Sequence, residues 1–432
     1  MALANNASLS GSVTAFAGAS GLLQTLLDFV CGTDVTGATT TGSGSGPYTA
    51  TLTTPVGLGR TIINYTFSTV DYEAQDDGTG TITGTNISSA SINHSTGAFT
   101  VTFTGTPDAN PTVDYLHGEP GQDWRLKFQR NTRSNESPFV SDEPFGSTCF
   151  ECILHNTGLS GAENVLVGFR EWQNPANPAH GWDLSAYRSY SDGQDWWTEL
   201  YNMGRSTYDA TWEHWSYAPM IPLIDDTMYY WFYSNQQRIT GTVKVSSNYE
   251  DFYVGFGERF GNPEDYPYPI FIRGSAMGQV DYADAVSSNH AYIPYSTTSN
   301  VMHQNCMPDN SWSVNWGTGS SAFLTFLQPY SSWSNTGALY ITPGKKEALM
   351  TPICAVNAAG RNTLFQLDGV YHCAGIGLQS EDTIRASNGV LYRVFQNITD
   401  VNYYDFVCMA EDSFTTTSTS TTTSSSTTTT TA

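Results

Sequence analysis

The rhythm of hydrophobic and polar positions changes most sharply between Pro222 and Ser275. Met228 to Ser234 reads Met-Tyr-Tyr-Trp-Phe-Tyr-Ser. That run is too short to cross a membrane and too rich in rings for a surface helix, so it predicts a buried strand. Asn235-Gln236-Gln237 breaks it. From Arg238 to Val245, Ile239, Gly241, Val243 and Val245 alternate with Arg238, Thr240, Thr242 and Lys244, the period of a half-buried strand. Asn248 to Gly257 supplies a third strand. Tyr266-Pro267-Tyr268-Pro269 cannot sit in a sheet centre, because each proline lacks an amide donor and holds its predecessor extended. The stretch predicts an antiparallel meander ending in a stiff aromatic loop.

Helical spacing is found in the first part of the chain, within residues 1–35. Leu22, Leu23, Leu26, Leu27 and Val30 recur on one stripe, Ser20 stands where a cap belongs, and Cys31-Gly32 offers a stop. Such a stripe must pack on something, either the chain's own β-domains or a neighbouring subunit, and Leu22 and Leu26 are candidate subunit contacts. Residues 36–120 then show short strand signals: Tyr48 to Thr54, Arg60 to Thr69, Thr79 to Thr85, Ser89 to Ile92, Ala98 to Phe103 and Thr112 to Tyr115. Turn signals such as Asp76-Asp77-Gly78 separate them. They predict a small immunoglobulin-like sandwich.

Residues 121–413 read as one large antiparallel domain of sandwich or jelly-roll type, with strand signals nearly continuous from Phe145 to Val407. An interdomain junction, Gly118 to Ser141, leads into it, holding the strand Trp124 to Gln129 and the basic residues Arg125, Lys127, Arg130 and Arg133. These can pair with an acidic subunit or internally. Residues 414–432 are a Thr/Ser-rich tail with nothing apolar to bury beyond Phe414, and the run from 415 onward is expected to be disordered in isolation. The fold expected is therefore all-β, with a short N-terminal helix as the exception.

Composition narrows the function. The chain has 432 residues, 25 of them tyrosine, with 17 Lys+Arg against 40 Asp+Glu, a net charge of −23. That charge argues against nucleic acid as a partner, since little is present to neutralise phosphates. No apolar run reaches the roughly 18 residues of a membrane helix, so membrane insertion is not expected. The first basic residue is Arg60, which leaves the N-terminus without the positive region of a secretory signal.

Seven widely spread cysteines, an odd number, do not form a disulfide framework. Cys149-x-x-Cys152 and His303-x-x-Cys306 make a zinc site on paper. Thr148 to Asn156 reads as a strand, however, where residues three apart face opposite ways. Buried free thiols are the expectation, with no cofactor and no metal.

The densest tryptophan group, Trp182, Trp196, Trp197, Trp212 and Trp215, is interleaved with Asp195, Glu199, Asp209, Glu213 and His214. Rings beside carboxylates suit a sugar-binding groove, and Trp196, Trp197, Trp212 and Trp215 are the candidate glycan contacts. They equally suit a core or a subunit interface. Asp195 with Glu213 is the pair to name for glycoside hydrolysis. No nucleophile triad, zinc-protease, phosphate-loop or dinucleotide fingerprint accompanies them, so no catalytic residues are assigned.

The stretch YYWFYSNQQRITGTVKVSSNYEDFYVGFGERFGNPEDYPYPIFIRGS resembles the signature of a group of tailed-bacteriophage virion proteins. In these, an aromatic strand, an Asn and an Arg precede a Tyr-rich strand, a Tyr-Pro-Tyr-Pro turn and a Gly-Ser. Gly158-Leu159-Ser160-Gly161 before Val165 to Phe169 is similar to the family's turn into a strand. Leu367-Asp368-Gly369-Val370-Tyr371, with Glu381-Asp382-Thr383 and Tyr392 to Asn397, is similar to its C-terminal block. Gly80-Thr81-Ile82-Thr83-Gly84 and Ser91 to Thr100 resemble β-modules embedded in phage tail proteins. The resemblance spans about residues 120–410, rests on structural residues and brings no catalytic motif.

What it implies is a virion structural protein of the tail, baseplate or neck, assembled in the host cytoplasm. It would work in many copies with itself and with other virion proteins. Tyr266 and Tyr268, held stiffly by prolines, join Leu22 and Leu26 as candidate subunit contacts. The alternative is a receptor- or glycan-binding adhesin of the same particle meeting a host surface glycan, and the third reading is a glycan-degrading enzyme.

Overall fold

A computed structural model of the protein describes residues 6–16, 20–54, 56, 61–77, 79–118, 122–131, 148–158, 163–173, 180–188, 219–277, 303–306, 308, 312–314, 322–326, 349–357, 362–374, 378–386, 389–396 and 405–411. Strand β1 (Ala7–Thr14) and helix α1 (Leu22–Val30) come first. A module follows of β2 (Thr33–Thr39), β3 (Tyr48–Thr51), β4 (Ile62–Phe67), β5 (Val70–Gln75), β6 (Ile87–Ile92), β7 (Ala98–Phe103) and β8 (Thr112–His117). Next come β9 (Arg125–Asn131), β10 (Thr148–Asn156), β11 (Val165–Gln173), β12 (His180–Tyr187), β13 (Pro219–Pro222), β14 (Thr227–Ser234), β15 (Arg238–Val245), β16 (Asn248–Phe256) and β17 (Glu258–Arg259). Further on lie β18 (Ile270–Arg273), β19 (Ala276–Met277), β20 (His303–Cys306), β21 (Trp312–Val314), β22 (Ala322–Phe326), β23 (Leu349–Asn357), β24 (Asn362–Ala374), β25 (Thr383–Arg385), β26 (Leu391–Gln396) and β27 (Asp405–Ala410). The protein is nearly all β, in antiparallel sheets, with one α-helix among the described residues.

The aromatic run explains the architecture. Its strand, β14, lies in a central sheet ordered β1-β14-β15-β16-β18-β20-β21. Alternate side chains of a strand leave on opposite faces. Met228, Tyr230 and Phe232 therefore enter one core and Trp231 and Tyr233 another. The first core lies against a front sheet, β19-β13-β12-β11-β10-β9, where Phe252 meets Phe169 and Trp182, and Phe232 meets Trp182, with ring centroids 6.1–6.2 Å apart. The second lies against a back sheet, β22-β23-β24-β27-β26-β25, whose Phe365, Phe395 and Val407 cover Trp231, Tyr253 and Phe271. Three sheets are thus stacked, and the middle one is buried on both faces along β15 and β16.

This corrects the half-buried reading of Arg238 to Val245. Arg238, Thr240 and Thr242 are as buried as Ile239 and Val243, because the back sheet covers the face that their polarity assigned to water. Gly255 serves the same crowding: it adopts φ +133°, and a Cβ there would strike the carbonyl of Gln237 and the backbone of Arg238.

The helix lies where its spacing predicts, with one change and one correction. Gly21 is its N-cap without a side-chain hydrogen bond, so Ser20 is not the cap, and the Cys31 amide closes the C-terminus on Leu27 O. Leu22, Leu23, Leu26, Leu27 and Val30 are all buried in the core between central and front sheets. Leu22 and Leu26 are at 0% exposure within their own chain, which overturns their assignment as subunit contacts. The helix finds sheets to pack on, and so does not need a second helix or a partner.

Residues 33–117 form a sandwich with a core of its own. A sheet ordered β2-β8-β4-β5 faces a sheet ordered β3-β7-β6 across Ile63, Tyr65, Phe99, Val101, Phe103 and Val113. Thr79 to Thr85 is not a strand here: it contributes isolated bridges, Asp76 to Ile82 and Thr81 to Ser91. In its place β5 pairs with β4 through a tight turn in which Ser68 and Thr69 take φ of 50° and 65°.

Candidate functional site

Of the residues that the sequence marks for contact, Tyr266 and Tyr268 are described and Trp196, Trp197, Trp212 and Trp215 lie outside the described residues, as do Asp195 and Glu213. Tyr266 is 4% exposed and packs on Phe365 in the second core. Its carbonyl accepts a hydrogen bond from Nη1 of Arg259 at 3.0 Å. Tyr268 is half-buried against the first core. The Tyr-Pro-Tyr-Pro turn folds onto its own sheets, so Tyr266 is not a surface anchor for a partner and Tyr268 is only in part available to one. The other described member of the tryptophan group, Trp182, is a core residue whose Nε1 donates to Oε2 of Glu171 at 3.2 Å.

Of the zinc pairing only the Cys152 side chain is described; those of Cys149, His303 and Cys306 lie outside the described residues. Cys152 turns into the first core with its thiol toward Phe169 O, acting as a small hydrophobe, and none of Cys31, Cys152, Cys354, Cys373 and Cys408 is disulfide-bonded. Burial pushes the Cys31 thiol up to about 12 and the Cys408 thiol well above its usual range, so both stay protonated and unreactive. Among the described residues no group of three His, Cys, Asp or Glu could hold a metal.

The structure instead builds a polar seam between the central and back sheets that sequence reasoning did not pair up. Asn235, directly after β14, accepts through Oδ1 from the amides of Gln237 (2.8 Å) and Arg238 (3.1 Å), forming the turn into β15. Its Nδ2 donates to Oδ2 of Asp368 at 2.5 Å, on the β24 strand opposite. Arg238, at 0% exposure, donates from Nε to Asp368 O at 3.0 Å, lies 3.5 Å from Asp368 Oδ2, and donates from Nη2 to Oδ1 of Asn6 at 2.6 Å. Asn6 in turn donates to Ala410 O at 2.7 Å. Gly369 is required here: it takes φ +69°, and a Cβ would fall on Nη2 of Arg238. The Asn, the Arg and the Leu-Asp-Gly-Val-Tyr block that carry the resemblance meet at this one place.

Deeper along the same face, Thr242 donates to Oδ1 of Asp251 at 2.8 Å and Thr240 donates to Phe252 O at 2.5 Å. Burial raises the Asp251 carboxyl to about 7 against the opposing effects of Thr242 and Arg273, and burial lowers Arg273 to about 10. On the other face Glu250, bonded to Ser275, is held well above the carboxylate range chiefly by burial. Such groups are the type that acid–base catalysis uses. All of them are at 0–1% exposure, so within this packed state they meet each other and not a substrate.

At the rim, where the back sheet ends, a row crosses four strands: Ser12, Tyr229, Lys244 and Tyr249 are direct partners in the register. Tyr229 is 55% exposed. Glu381 accepts from Lys244 Nζ at 3.0 Å and from the Tyr249 hydroxyl at 2.7 Å, with Lys244 lying 5.0 Å from the Tyr249 ring centre. Of the basic junction, Arg125 pairs inside the chain with Asp34 at 2.7 Å, Lys127 is exposed, and Arg133 and the Arg130 side chain lie outside the described residues.

The chain matches no known family and no curated protein.

Proposed function

We propose that this chain is a structural component of a bacteriophage virion, of the tail, baseplate or neck, acting in many copies through assembly. The observation that carries the reading is that the residues of the virion-protein resemblance serve as framework. Asn235, Arg238, Asp368 and Gly369 join two sheets, and the Tyr-Pro-Tyr-Pro turn is packed inward. A signature that specifies a rigid stack, with Arg238, Glu250, Asp251 and Arg273 closed off from solvent, fits a protein whose task is shape and stability. Copies of itself and other virion proteins are its partners, and the particle forms in the host cytoplasm. Mass spectrometry of purified particles, with a cryo-EM map placing the stacked sheets in the tail, baseplate or neck, tests this. Its absence from intact particles would falsify the reading.

A second reading, an adhesin for host glycan, is favoured by one feature: exposed Tyr229 next to the Lys244–Glu381 pair offers a ring to stack on a sugar and groups to bond its hydroxyls. Loss of host-cell adsorption in Tyr229→Ala, with particle yield unchanged, would select it over assembly alone.

A further inference from the structure

We propose that the free edge of β1 pairs with β1 of a second copy of this chain, antiparallel, across a two-fold axis. Among the described residues β1 is the terminal strand of the central sheet, bonded to β14 alone along its eight residues. In such a strand about half of the amide and carbonyl groups point away from the one neighbour and form a template for another strand. Ser8, Ser10, Gly11, Ser12 and Thr14 are exposed.

Four of the other terminal strands carry devices that deter pairing, and the remaining ones are five residues long or shorter. Terminal strand β9 bears Arg125 and Lys127, and β5 bears Asp71 and Glu73. β2 carries Asp34 and a register shift, and β6 has a register shift and the bridge from Thr81. β1, Ala-Ser-Leu-Ser-Gly-Ser-Val-Thr, has no charge, no proline and no register shift, and it is the longest terminal strand of any sheet among the described residues.

Charge indicates a second copy as the occupant. The chain carries 17 − 40 = −23, yet no charged side chain precedes Asp28. Two copies approaching through most of their surface meet like charge, whereas β1 against β1 brings together segments with none. A strand paired with itself across a two-fold is also self-complementary, residue i to j and j to i. Leu9 and Val13 stay in the first core, so pairing extends the central sheet through two protomers without disturbing either stack.

The inference rests on the multi-copy reading for its biological use, but not for its test. Light scattering of the purified full chain is expected to show a dimer. Ser10→Asp with Ser12→Asp, both at exposed positions, is expected to weaken it at least roughly tenfold while circular dichroism and the urea midpoint hold. Ser10→Cys or Ser12→Cys should yield a disulfide-linked dimer under mild oxidation, where Asp71→Cys on the acidic edge β5 should not. A monomer, a dimer indifferent to the two aspartates, or neither cysteine cross-linking would overturn the proposal, as would a particle map with another virion protein's strand on β1. A β1-paired dimer that is missing from particles would leave this inference standing and remove the virion reading instead.

Discussion

Asp368→Ala tests whether the polar seam holds the back sheet to the central one. The Arg238 guanidinium is fully buried and the Asp368 side chain only 12% exposed, so removing the carboxylate leaves a cation without its counter-charge in a site that water cannot readily enter. Breaking a buried pair from one side costs about 3–5 kcal/mol. Two bonds survive the change, Nε to the backbone carbonyl of residue 368 and Nη2 to Asn6, while Asn235 Nδ2 loses its acceptor. The lower end, about 3 kcal/mol, is therefore expected. Asp368→Asn keeps an acceptor for Asn235 and should lose about half as much. The second arm is the double variant Arg238→Met with Asp368→Leu, which removes both charges. If the cost lies in the stranded cation, the double variant is more stable than the sum of the two single changes by at least about 1 kcal/mol.

Urea unfolding followed by tryptophan fluorescence and by circular dichroism measures this, using the part of the transition where the two probes coincide. Trp231 sits in the affected interface beside Phe395, with ring centres 5.2 Å apart, and reports on it directly. Asp368→Ala within 1 kcal/mol of the parent, or strict additivity in the cycle, would refute the reasoning and leave the seam a bystander of apolar packing.

Three further outcomes are expected. Phe252→Ala should destabilise by about 3–5 kcal/mol in the same unfolding assay, since it empties a site ringed by Phe169, Trp182 and Phe232; a loss below 1 kcal/mol would mean that the three-ring contact is not formed. Gly369→Ala should lose roughly 1–2 kcal/mol from its left-handed backbone alone and more from displacing Arg238, so an unchanged midpoint argues against that geometry. For Asp251, a folded carboxyl held at about 7 binds a proton that the unfolded chain releases near pH 4. Its contribution is thus fully present below about pH 4 and is lost as pH rises to about 7. Asp251→Asn should flatten the fall in stability across that window relative to the parent, and an identical slope would count against the burial of this carboxyl.

How much of this was legible in the sequence depends on whether the covering partner is near in the chain. Met228 to Ser234 announces a buried strand because no alternation interrupts its apolar character, and the helical stripe from Leu22 to Val30 is equally plain. β15 misleads because Arg238, Thr240 and Thr242 look like a solvent face. They are buried since Asp368 lies about 130 positions away and the Thr242 partner, Asp251, lies on the next strand. No local pattern reveals that a third sheet will cover them. β1 goes unread for a different reason: serines and one glycine give it weak strand propensity, and it becomes a strand because β14 offers an edge. The Asn, Arg and Gly of the seam were visible as resemblance, but their roles became readable only when the fold brought them together.

The seam also ties the ends of the described chain to its middle. Asn6 bonds Arg238, 232 positions on, and Ala410, 404 positions on. The closure entropy of a loop grows only as the logarithm of its length, so the longer link costs about 0.5 kcal/mol more than the shorter. Distance along the chain is therefore no reason for the N-terminal strand to dock elsewhere; what decides is that Asn6 has two partners waiting at the β14–β15 turn and the end of β27. The strand it leads, β1, is placed by this lock at one end and by Ala15 at the other, where the Ala15 amide bonds Asp226 O and its carbonyl takes the Leu22 amide. Fixed at both ends and joined along one side, β1 holds its remaining side straight, which is the condition for an edge to act as a template and not as a fraying terminus.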